Sequence, residues 1–165
     1  MRGKDAVVNP VAEYLALIDE AYDRKAWHGT TLRGSLRGLS QEQAAWRPAE
    51  GRHNIWEIVV HAAYWKYAVA RRLAGGHRGG FLYKGSNWFT RPDPVSGPRA
   101  WADDVEVLDR YHRELRAVVA ALEPADLSNR PEGSQQSRAY ILRGIAAHDL
   151  YHAGQIQLLK RLPKH

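Results

Sequence analysis

Apolar and polar residues follow one another along this chain with a helical period, and no stretch of useful length alternates as a strand would. In "NPVAEYLALIDEAYD" the apolar side chains fall at Val11, Tyr14, Leu15, Ile18 and Tyr22, the spacing of one helix face. Asn9 is a good N-cap and Pro10 suits the first helical position. The pattern predicts a helix from there to a break near "WHGT", where Gly29 is a poor helix former, with "TLRGSLRGL" adding about two turns. Ser40 then caps a short turn over "QEQAAW", which Pro48 ends.

The second long helix is the best signalled. Asn54 caps it and Glu57 can reach back in a capping box. Ile55, Ile58, Val59, Ala62, Trp65 and Val69 form its apolar face, Arg71 and Arg72 suit the C-terminal dipole, and Gly75-Gly76 stop it. Residues 75–99 form a long loop rich in glycine and proline, and loops of that length are uncommon without a task. Such a loop also spans a bundle end to end, so the helices on either side of it need not be antiparallel neighbours.

A third helix is predicted from about Ala100 to Glu123, with Trp101, Val105, Leu108, Tyr111 or His112, Leu115 and Val119 inward. Pro124 and Pro131 bracket the next loop. The fourth starts after Ser134 or Ser137 and runs to about Leu162, where Pro163 ends it. With no internal repeat, the expectation is an all-α four-helix bundle, one domain over residues 1–165, with a long crossover between the second and third long helices.

The absence of cysteine changes the picture most. It removes disulfides, a cysteine nucleophile and thiolate ligands, so a metal must be held by His, Asp or Glu and any thiol must come from outside. No run approaches a membrane span and the N-terminal residues lack an apolar leader core, so a cytoplasmic location with no membrane partner is expected. The formal charge is +6, but Arg110, Arg113 and Arg116 are interleaved with Asp109 and Glu114 as on a solvated face. Nucleic acid is therefore not the expected partner.

Candidate chemistry concentrates in "HDLYHAGQ". At about 100° per residue, with Ile141 at the origin, His148 and His152 fall about 20° to either side of it, which predicts them at the centre of the buried face. Two buried imidazoles one turn apart need several polar partners, and a metal ion would satisfy both. A hydrogen-bonded core pair is the other reading, and the motif lacks the Glu of metalloprotease helices. A metal needs a third ligand from another helix. His61 qualifies, though it lies roughly 60° off the apolar stripe, at its flank. Gln155 shares the face of His148 and can orient a ligand or a bound water. Asp149 is the nearest acid, a candidate proton acceptor or else a surface or capping ion pair. Tyr64, Trp65 and Tyr151 are pocket walls or plain core, and Glu57 caps its helix.

"AAWRPAEGRHNI", "IWEIVVHAAYWKY" and "IAAHDLYHAGQIQLLKRL" together resemble the DinB-like, YfiT-type family of metal-dependent hydrolases, over nearly the whole chain. The resemblance implies an up-down-down-up four-helix bundle in which His61, His148 and His152 bind a divalent metal. Zn or Ni is the first expectation, with Fe, Mn and Co open. It also implies a homodimer acting on a small molecule. Members of the family use the metal to transfer low-molecular-weight thiols such as bacillithiol, mycothiol or glutathione. Three neutral imidazoles leave a metal its full charge and open positions, a catalytic arrangement. Three functions are then open: a thiol S-transferase, a metal-dependent hydrolase, or a metal- or ligand-binding protein without turnover. A thiol cofactor with carboxylates calls for a cation near the metal, and Arg52, Arg138 and Arg143 are the candidates.

Overall fold

The computed structural model describes residues 9–76 and 79–162. Pro163, His77 and His165 lie outside them. The described residues form six α-helices, α1 (Pro10–Tyr22), α2 (Leu32–Ser35), α3 (Gln41–Ala45), α4 (Ile55–Leu73), α5 (Ala100–Ala120) and α6 (Arg138–Arg161), and a 3-10 turn, Pro124–Ser128, with no strand. None of the helices is long and apolar enough to cross a membrane.

The caps are where the side chains call for them. Asn9, Ser40, Asn54 and Ser137 each accept a backbone N–H of the first turn, and Ser40 and Asn54 do so within complete capping boxes. Three ends differ from expectation. Helix α1 stops at Tyr22, because Asp23, Arg24 and Lys25 are exposed and give the next turn no apolar anchor. Helix α2 is a single turn, after which Gly38 takes a left-handed φ of 74°. Helix α5 stops at Ala120, ahead of Pro124, which disfavours helical backbone just before it.

The four long helices pack as a closed ring of neighbours, α4 on α5, α5 on α1, α1 on α6 and α6 on α4. The core divides into two apolar blocks. One centres on Trp56, Val60 and Leu108, the other on Ile18, Leu115 and Leu142. Between them lie buried Lys66, His112 and Asp149.

The loop from α4 to α5 is tied down by one carboxylate. Buried Asp104 accepts from Trp56 Nε1 at 2.6 Å, from Arg91 Nε at 2.7 Å and from the Tyr83 hydroxyl. Asn54, the cap of α4, donates to the Arg91 carbonyl at 2.7 Å. Phe81 and Phe89 pack edge-on or tilted into the first block alongside Tyr64. These anchors carry residues 86–89 across α4 and bring the loop to the site.

Candidate metal centre

His61 projects from the middle of α4, and His148 and His152 from adjacent turns of α6. Their rings meet. Nε2 of His148 lies 3.1 Å from Nε2 of His61 and 3.1 Å from Nε2 of His152. One nitrogen from each of the three lies within 4.8 Å of the others.

The far nitrogens explain why the near ones converge. His61 Nδ1 donates to the backbone carbonyl of Asn87 at 2.8 Å, and His152 Nδ1 donates to Gln155 Oε1 at 2.7 Å. A carbonyl oxygen can only accept, so each bond places the proton on Nδ1 and leaves a lone pair on Nε2. Two lone pairs then point at a third imidazole, and a single proton on His148 cannot serve both. A divalent cation among the three nitrogens would. The donor set therefore fits a metal held by neutral imidazoles, with Asn87 and Gln155 orienting two of them. Nδ1 of His148 has no partner among the described residues.

Burial keeps all three rings neutral. It lowers the His61 pKa and brings those of His148 and His152 to about 3 and about 4. For His148, the neighbouring imidazoles and the Lys66 charge add to the effect. The ligands are thus deprotonated at neutral pH without help from a metal.

His61, at the flank of the apolar stripe, points between α4 and α6 and is only 5% exposed. The wheel of α4 could not include the loop that covers it. Trp88 lies stacked between His61, at 3.8 Å, and His53, at 3.6 Å. Asn87 has a left-handed φ of 65°, which asparagine tolerates better than most residues. That conformation turns its carbonyl to His61 while its side chain accepts from Trp65 Nε1 at 2.9 Å. Asn87, Trp88 and His53 were not legible as site residues, and the one signal for the first two was the unexplained length of their loop.

The expectation for α6 also needs correction. Its buried positions are Ile141, Leu142, Ile145, Ala146, Asp149, His152, Ala153 and Ile156, whose centre is nearest Asp149 and Ile156. His152 lies within that face, but His148 is half-buried at its edge. Taking Ile141 as the centre misplaced the face by most of a right angle, about 70°. The carboxylate of Asp149 is completely buried and pairs with Lys66, itself completely buried. It is therefore no surface or capping ion pair, and it is not one of the grouped ligands. Glu57 caps α4 as expected and also pairs with Arg47 at 2.6 Å and with His53 at 2.9 Å.

Two cavities reach the cluster, one at His148 and one at His152. A cavity of about 160 Å³ reaches His148 and is walled by Trp65, Arg72, Tyr140, Ile141 and Gly144. A cavity of about 630 Å³ reaches His152 and Gln155, and Trp88 and Tyr151 stand in its wall. Of the three expected arginines, Arg52 lines the larger cavity, while Arg138 and Arg143 line neither. Tyr64 packs with Phe81 and Phe89 instead.

Residues 24–156, from α2 into α6 and including all three histidines, match the DinB superfamily. The chain belongs to the DinB superfamily. No curated protein and no solved structure matches it. The matched span of this DinB chain includes Asn87 and Gln155 together with the three histidines they orient.

Proposed function

We propose that this DinB-superfamily chain is a divalent-metal-dependent enzyme that activates a thiol or a water at His61, His148 and His152, with thiol S-transfer as the reaction. The observation that carries the reading is the convergence of three neutral imidazoles, two of them oriented through Nδ1. A bound zinc or nickel would supply positive charge to lower the pKa of a thiol or water in an open position. The chain's own residues do the rest. The carbonyl of Asn87 and the amide of Gln155 hold two rings in their ligating tautomer. Trp88 covers His61 and limits water on that side. Asp149, paired with Lys66, holds α6 against α4 beside the ligands.

Two cavities reaching different histidines favour transfer between two reactants over hydrolysis, which needs one organic reactant and water. The up-down-down-up order of the long helices is part of the same reading. It is supported by Trp56 and Tyr67 of α4 meeting Asp104 and Tyr111 of α5 in the same sequence order. In α1 and α5 the order is reversed, with Asp19 meeting Arg116 and Tyr22 meeting Asp109.

Elemental analysis of untagged protein purified without chelator tests the reading, beside His61→Ala and His148→Ala. The expected result is one equivalent of metal in the wild type and loss in both variants, followed by turnover in a thiol-and-electrophile screen. A wild type that stays metal-free after dialysis against zinc or nickel overturns it.

A further inference from the structure

The larger cavity shows a definite chemical bias. Its walls are mainly apolar, with Ile58, Trp88, Leu158, Leu159 and Leu162 among them. Leu158 is 62% exposed, a large apolar side chain that the fold leaves uncovered beside the site. At about 630 Å³ the space is in the range of small-molecule sites. Among the described residues, none of those lining it is an acid, and Arg52 is its only permanent cation. Among the described residues, the Arg52 guanidinium makes neither an ion pair nor a hydrogen bond, in contrast to Arg47 nearby, which is committed to Glu57.

An apolar trough with an uncompensated guanidinium on its wall, and with His152 of the three-histidine cluster also in that wall, selects one kind of occupant. We propose that this cavity binds an organic anion with an apolar body, its acid group on Arg52, its chain or ring along Leu158, Leu159 and Trp88, and its reacting end at His152. The inference rests on the proposed metal-dependent activity for the meaning of that reacting end, but not for the binding itself. It assigns the apolar acid to the larger cavity and leaves the smaller one, at His148, for the other reactant. Charge decides acid over alcohol or amine. A guanidinium forms charge-assisted bonds to a carboxylate and repels an ammonium.

Calorimetric titration of the chelator-treated full chain with decanoate, decan-1-ol and decyltrimethylammonium tests this. Decanoate is expected to bind, decan-1-ol at least tenfold more weakly, and the cation not at all. Arg52→Glu, a change at an exposed side chain, should weaken decanoate at least tenfold, and Arg52→Lys should retain most of the affinity. Leu158→Glu, which puts an acid on the apolar wall, should also weaken it. His148→Ala removes a metal ligand without touching this cavity, so decanoate binding should persist there while zinc binding is lost. Equal affinity for decanoate and decan-1-ol, or a decanoate affinity indifferent to Arg52→Glu, overturns the assignment, as does absence of decanoate binding at millimolar concentration. Zinc binding with no preference for decanoate would defeat this inference alone, and decanoate binding without zinc binding would defeat the metal reading alone.

Discussion

Lys66 and Asp149 form an ion pair that solvent does not reach, joining α4 to α6 beside the three histidines. Lys66 is little more than one turn beyond His61, and Asp149 follows His148 directly. The pair therefore holds together the two helices that carry the ligands. Burial raises the pKa of the Asp149 carboxyl, while the Lys66 charge opposes the rise. The second carboxylate oxygen has no partner among the described residues.

A buried pair of this kind responds asymmetrically to mutation. Lys66→Met leaves a carboxylate buried and uncompensated, and should destabilise the protein by about 3–5 kcal/mol. Lys66→Met combined with Asp149→Leu removes both desolvation penalties and should recover most of that loss. Urea unfolding midpoints of the two variants decide the matter. A double variant no more stable than Lys66→Met would show that apolar packing cannot replace the pair.

Gln155 offers a cleaner probe of the metal site, because it is half-buried and its bond to His152 is local. Gln155→Leu removes the acceptor that holds the His152 proton on Nδ1. Zinc affinity should fall about 10–100-fold, the usual effect of losing such a partner, with little change in the melting temperature of the metal-free protein. Gln155→Glu keeps an acceptor and should retain tight binding. Competition against a chromophoric chelator measures both.

His112 supplies a pH dependence separate from the metal ligands. It is buried, stacked on Tyr22 at 3.7 Å, and its pKa is lowered from 6.5 to about 2, by burial first and then by Lys66, Arg116 and Arg113. A lowered histidine pKa means that the unfolded chain takes up a proton below about pH 6.5 that the native ring refuses until about pH 2. Stability from this group is complete above that window and is lost as pH falls through it. Relative to His112→Phe, the wild type should lose about 1 kcal/mol for each unit of pH between 6 and 4. Guanidinium unfolding at three pH values checks the slope, and parallel slopes in the two proteins would refute it.

Much of the architecture was present in the order of residues. Asn9, Ser40 and Asn54 marked helix starts because a short polar side chain can satisfy free N–H groups only at a helix start, and Ser137 was one of two candidates for the fourth. Gly75 and Gly76 marked a stop, and the periodic apolar positions of α5 are all buried. His148 and His152 were legible as a pair because side chains four residues apart on a helix are neighbours whatever surrounds them.

What a single helix cannot show is where its neighbours lie, and there the tertiary structure decided. Four residues make this plain. His61 read as a flanking position that could point between helices, but nothing in its own helix showed that Trp88, 27 positions on, stacks over it. Asp149, an acid on a helix, reads as surface until Lys66 of another helix arrives to balance its charge. Local periodicity determines helices and their caps, because those depend on contacts within a few residues. The centre depends on three elements far apart in the chain meeting within hydrogen-bond distance, and only the packing of α4, α6 and the loop between α4 and α5 brings them there.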